Sequence, residues 1–223
     1  MKKKFIIVLI ILWSAFCFGA SQQTSSTLAS ALVDRAEVIL NDTDNEFWTA
    51  AQLLTWLNAG MIDIVTRTNC LETTESINLA ASTLEYTITS TYLTVMTVHY
   101  IDANGNVKAL KKSSPMEVGM EEPVGEPVYW YDWAGKIGAF PVLAARTTET
   151  LTVYLVTRPT SILASASVTT PAIYDTALVH YMVAQAYLKN LSHGKYAQHM
   201  ALYISELDKI RAALTAFPPK VAE

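Results

Sequence analysis

The hydrophobic period of this chain changes twice, and that change bounds the folds open to it. From Leu28 the apolar residues recur at Leu28, Leu32, Ala36 and Ile39/Leu40, then at Leu53, Leu57, Gly60/Met61 and Ile64. Steps of three and four put them on one side of a helix. Between Ser76 and Thr157 the step falls to two. Tyr92 to Ile101 sets Leu93, Val95, Thr97 and His99 on one face and Thr94, Met96, Val98 and Tyr100 on the other, and Leu151, Val153 and Leu155 alternate with Thr152, Tyr154 and Val156. After Pro171 the helical step returns at Ala177, Tyr181, Ala184 and Leu188, and again at Tyr196, Met200, Tyr203/Ile204, Leu207, Ile210/Arg211 and Leu214. Helices, then strands, then helices predict an α+β fold. It comprises an N-terminal helix pair, a central antiparallel β-sheet of about five strands, and a C-terminal helix pair packing with the N-terminal helices.

Turn chemistry marks the joints. Asn41 to Asn45 ends the first helix, and Thr49-Ala50-Ala51-Gln52 reads as a capping box opening the second. Asp102-Ala103-Asn104-Gly105-Asn106 is a hairpin loop between Tyr92–Ile101 and a returning strand, Val107 to Leu110. A second hairpin joins Val128–Trp133 to Lys136–Phe140 through Ala134-Gly135. Ser114 to Met120 reads as a short helical or irregular stretch, followed by Pro123, Gly125 and Pro127. Pro159 to Thr170 is a polar connector, Leu191 to Gly194 separates the last two helices, and Pro218-Pro219 stops the last one.

The N-terminus stands apart. Lys2, Lys3 and Lys4 precede an apolar run from Phe5 to Phe18 that only Ser14 interrupts, and Gly19-Ala20-Ser21 follows. This is the pattern of a secretory signal. The alternative is a hydrophobic arm that packs on a partner. The run is about 14 residues, short of the roughly 20 that span a bilayer as a helix. The expected division is therefore a signal-like segment over 1–20 and a single domain over 21–223.

Of the 223 residues, 51% are hydrophobic and 16% charged, which suits a packed core and not a disordered chain. Without residues 1–20, thirteen basic side chains face twenty acidic ones, a net charge of −7. Sequence-specific nucleic-acid binding, which needs a basic surface, is not expected. Any membrane association would come only through the N-terminal segment. Cys70 is the single cysteine beyond that segment, which excludes an intrachain disulfide framework there.

Catalytic patterns are missing. There is no Gly-rich phosphate loop, nucleophile elbow or metal-binding His/Glu pair at helical spacing. His180, His193 and His199 stand 13 and 6 residues apart, off any shared helix face. Glu121, Glu122 and Glu126, beside Pro123 and Pro127, read as a solvated loop. The expectation is a non-enzyme with no cofactor and no metal. The densest feature is Tyr129-Trp130-Tyr131-Asp132-Trp133, whose alternation puts Tyr129, Tyr131 and Trp133 on one face and Trp130 on the other. One face suits a core and the other a contact with a subunit or a carbohydrate.

The order of these signals resembles one known family. Val38-Ile39-Leu40-Asn41-Asp42 is followed by Phe47-Trp48-Thr49 and Gln52-Leu53-Leu54-Thr55-Trp56-Leu57-Asn58. This resembles the opening helix pair of phage head-to-tail adaptor proteins, the small connector subunits of short-tailed phages and their relatives. Gly125-Glu126-Pro127-Val128-Tyr129-Trp130, Gly138-Ala139-Phe140-Pro141, the strand Leu151–Val156 with Thr157-Arg158-Pro159, and the closing helices with Tyr181 and Ala184 continue the likeness over roughly 27–215. The resemblance implies a structural subunit of a ring, dodecameric in the family, that joins the portal protein to the tail or nozzle protein and extends the DNA channel. It implies a place in the virion and no catalytic residues. Trp48, Trp130, Trp133, Asn104 and Gly105 are the interface candidates. The alternative suggested by the signal-like segment is an exported, periplasmic or surface-associated binding module that uses exposed aromatics.

Overall fold

A computed structural model describes residues 26–116, 124–144 and 148–215. The N-terminal apolar segment, most of the stretch expected around Ser114 to Met120, and the stop at Pro218-Pro219 lie outside the described residues.

The chain opens with α1 (Ala29–Leu40) and α2 (Ala50–Thr68). Leu28 supplies no side-chain cap to α1. The polar connector does that work from afar: the carbonyls of Ala166 and Ala164 accept the N–H groups of Ala29 and Ser30. The first helical turn is thereby relieved of donors that the helix itself cannot satisfy. Asn41 ends the helix at φ 54°, a left-handed position that asparagine tolerates. Thr49 accepts the N–H of Gln52 through its side chain, but the Gln52 side-chain oxygen has no partner, so only half of the expected capping box forms.

The strands do not form one sheet. Two four-stranded sheets replace the single sheet of about five expected from alternation. The first contains β1 (Glu72–Asn78), β3 (Tyr92–Ile101), β4 (Val107–Ala109) and β8 (Thr150–Thr157), in the order β1-β8-β3-β4. The second contains β2 (Glu85–Thr87), β5 (Lys111–Lys112), β6 (Tyr129–Trp133) and β7 (Lys136–Phe140), in the order β2-β7-β6-β5. The second sheet is mixed, because β5 runs parallel to β6. The alternating stretch at Ser76–Thr89 is divided between the end of β1 and β2, and the two strands join different sheets.

The face assignment in β3 also changes along the strand. Val95 pairs with Leu155 and Thr97 with Tyr154, so the register slips by one residue at Met96. A β-bulge reverses the parity of every residue beyond it. Val95, Val98 and Tyr100 therefore share the core, and Met96 is exposed.

The two sheets enclose a common core of Tyr86, Val95, Val98, Trp130, Ile137, Leu151, Val153 and Leu155, among others. A second core is helical. It joins Leu32 of α1, Leu57 and Met61 of α2, Leu178 and Met182 of α3 (Asp175–Lys189), and Tyr203 and Leu207 of α4 (His193–Thr215). Val156, on the opposite side of β8 from Leu155, belongs to the helical core, so this strand faces both. Helix α3 is covered on several sides: Ala177, Leu178, Val179, Met182, Val183 and Ala184 are all buried, whereas Leu188 of the expected stripe is exposed. At Gly60 a Cβ would lie 3.0 Å from the Tyr181 ring, which is why α2 can approach α3 so closely there.

Glu75 ties β1 to the turn before β3. Its carboxylate accepts the Thr89 N–H and hydroxyl, both at 2.8 Å, and the Ser90 N–H at 3.0 Å. Burial alone would raise its pKa, but these hydrogen bonds outweigh it and hold the carboxyl at about 2. A carboxyl depressed in the folded state stabilises the fold above its unfolded value near 4.5 and loses that contribution as pH falls towards 2. Glu75→Gln is expected to flatten the acid limb of a stability-versus-pH curve between those values. At pH 7 it should cost about 1 kcal/mol in urea unfolding.

Candidate assembly surfaces

The second sheet presents its aromatic row outward. Trp130 points between the sheets at 2% exposure, with the Lys112 ammonium 5.0 Å from its ring centroid. Tyr129 and Trp133 occupy the other face, and Trp133 is 63% exposed. Tyr131 shares that outer face but is buried. It lies opposite Gly138 on β7, where a Cβ would fall inside its ring, and its hydroxyl donates to Glu85 at 3.2 Å. Glycine thus lets Tyr131 lie flat across the sheet between Tyr129 and Trp133.

The β3–β4 hairpin tip is a second projection. Asp102 Oδ1 accepts the N–H groups of Asn104 and Asn106 at 2.8 Å, and Oδ2 accepts the Asn106 side-chain amide at 2.7 Å. Asn106 and then Asn104 thereby lower the Asp102 pKa. Gly105, at φ +83°, has open space where a Cβ would stand. Asn104 and Gly105 are exposed on a loop braced by the aspartate beneath them.

Trp48 has a different role from the surface one. It is buried, edge-on to Tyr187 of α3 with ring centroids 6.4 Å apart. Asp42 holds its N–H at 2.8 Å. Burial removes Trp48 and Trp130 from the surface that the single chain offers. Phe47, beside Trp48, is the residue that projects, at 74% exposure. Nothing in the sequence separated Phe47 from Trp48 except the two faces of an irregular turn, which periodicity does not read.

The helical layer carries two further apolar faces. On α1, Val38 is 67% exposed and Ile39 is also exposed, beside Asp34 and Arg35. On α4, Ala201, Leu202, Ile204, Ser205 and Ala212 face outward. Tyr203 and Leu207 are the buried side chains that α4 contributes among the described residues. Periodicity places Ile39 and Ile204 within the core stripes, but the structure turns both outward and buries their neighbours Leu40 and Tyr203 instead.

Among the described residues, no three or more His, Cys, Asp or Glu side chains gather so as to hold a metal. Cys70 is buried, and that burial pushes its thiol above the ordinary value, away from the nucleophilic thiolate. No described helix is long and apolar enough to cross a membrane. His180 and His199, far apart in sequence, meet across α3 and α4 with their Nδ1 atoms 3.4 Å apart.

No curated protein matches the chain. A family model described as SU10 adaptor protein matches residues 27–221, which takes in the helical layer and both sheets. With so much of its length matched, from just before α1 to beyond α4, the chain belongs to the SU10 adaptor protein family, a family of phage adaptors.

Proposed function

We propose that this protein is a structural subunit of a phage head-to-tail adaptor ring, joining the portal to the tail and lengthening the DNA channel. The family match over 27–221 is the observation that carries this reading, and it favours a virion location over an exported binding module. The shape of the surface is consistent with it. A closed ring needs two unlike, complementary faces on each copy. On this reading the exposed apolar face of α1 and that of α4 serve as that pair, and the aromatic row and the Asp102–Asn106 tip contact the next component. On this reading Trp133, Asn104 and Gly105 contact a partner. Trp48 and Trp130 act from inside by holding Phe47 and the aromatic row in place.

The full chain, weighed by native mass spectrometry alone and with the portal protein of the same phage, is expected to form a closed ring, of twelve copies by family resemblance. A strictly monomeric chain with no portal binding would overturn the proposal. Ile204→Glu is expected to weaken copy-to-copy contact by about 2 kcal/mol, the scale of an interface anchor, while leaving the melting temperature of the single chain unchanged.

A further inference from the structure

His180 of α3 and His199 of α4 face one another with Nδ1 atoms 3.4 Å apart and ring centroids 5.6 Å apart. A neutral imidazole has one donor nitrogen and one acceptor nitrogen. The pair can therefore share one proton across the gap, with one ring donating and the other accepting. Adding one proton to the pair preserves that hydrogen bond. Adding a second sets two N–H donors and two positive charges against each other.

The surroundings oppose that second charge. Arg35 faces His180 from α1, and Lys209 faces it from α4. Lys195 of α4 lies near His199, with its ammonium 4.9 Å from the Tyr187 ring centroid. The acid in reach is Glu206, and Lys209 already holds it at 2.6 Å. His199 is also stacked on Tyr187 of α3, with ring centroids 5.5 Å apart, so one imidazole is held between two α3 side chains. Burial, the neighbouring imidazole and Lys195 depress the His199 pKa; at His180 burial, with Arg35 and Lys209, outweighs the opposing pull of Glu206 and depresses the pKa as well.

This pair sits in the stretch of α4 that precedes its buried anchors. The buried anchors of α4, Tyr203 and Leu207, lie around its middle, and Tyr203 donates a hydrogen bond to Asp63 of α2. Ahead of them, residues from His193 on are exposed or half-buried. We propose that the His180–His199 pair is a proton-operated latch that holds the first half of α4 on α3 at neutral pH and releases it when both imidazoles are charged. The sign follows from linkage. Imidazoles depressed in the folded state withhold no stability above the unfolded value of about 6.5, and stability is lost as pH falls below it. The latch belongs to the single chain and does not depend on the ring reading.

Amide hydrogen exchange of the full chain, corrected for the intrinsic pH dependence of exchange, tests the latch. Between pH 7.5 and pH 5, segments within 193–202 are expected to lose about tenfold in protection for each pH unit below about 6.5, levelling off once the latched pair itself takes its second proton. Segments of α2 should stay unchanged. His199→Asn and His180→Asn each place an uncharged amide near the Nδ1 position, so each should remove the imidazolium–imidazolium repulsion and leave only the smaller pH dependence of the remaining buried imidazole. If one variant fails to fold, the other carries the test. Protection in α4 that survives to pH 5, a loss equal in α2 and α4, or the same loss in the asparagine variants would overturn the proposal.

Discussion

Replacing Gly138 with valine is expected to destabilise the protein by about 3–4 kcal/mol in urea unfolding, among the largest effects of any single surface-sheet substitution in this chain. Gly138 is flanked by Glu85 on β2 and Tyr131 on β6, and the Tyr131 ring occupies the space where its side chain would begin. The backbone cannot move aside easily, because β7 is hydrogen-bonded to a strand on each side. The ring would have to leave, which exposes a buried aromatic and breaks its hydrogen bond to Glu85. Re-exposing such a side chain costs roughly 1.5–3 kcal/mol, and strain adds to it. A double-mutant cycle gives the decisive measurement. Once Tyr131 is already alanine, Gly138→Ala should cost less than about 0.5 kcal/mol, against about 2 kcal/mol when Tyr131 is present. Equal costs in the two backgrounds would show that the ring does not depend on the glycine.

Removing the Asp42 carboxylate is expected to cost about 3 kcal/mol for Asp42→Ala and about half that for Asp42→Asn. This buried side chain accepts the Glu46 N–H at 3.0 Å, the Phe47 N–H at 3.1 and 3.3 Å, and the Trp48 N–H at 2.8 Å. These bonds fold the α1–α2 turn around a single group. Alanine strands three donors, and the bond to Trp48 is fully buried, where no water replaces the lost acceptor. Asparagine keeps one acceptor oxygen. It also relieves repulsion with buried Glu37, whose pKa is raised by burial first and then by Asp34, with Asp42 adding to it. The consequence reaches beyond stability, because Trp48 packs on Tyr187 and Tyr187 stacks on His199. Amide exchange at Trp48 and the near-ultraviolet circular dichroism of the Trp48–Tyr187 contact should report a loosened turn. An unfolding midpoint unchanged by Asp42→Ala would mean that the turn is held by its backbone alone.

The sequence by itself determined the four helices and the longer strands, because those depend on neighbours a few residues away. The steps of three and four after Leu28, Leu53, Ala177 and Tyr196 are helices, and the caps at Asn41 and Thr49 fall where turn chemistry put them. The hairpin at Ala134-Gly135 forms with φ values of 51° and 76°, the twist that tight hairpins require. The alternation in β6 correctly separated Trp130 from Tyr129, Tyr131 and Trp133. What alternation does not carry is what lies over each face or which strand pairs alongside. Only tertiary structure split the strands into two sheets, since a strand's period is the same whichever partner it finds. Only it buried Tyr131 while leaving Trp133 exposed on the same face, because the deciding residue, Gly138, sits on another strand. The bulge at Met96 is set by pairing with β8, and the all-round burial of α3 by helices distant in sequence. The meeting of His180 and His199 has the same origin: the spacing of 19 residues means nothing until α4 folds back antiparallel on α3 and brings the two rings into one seam.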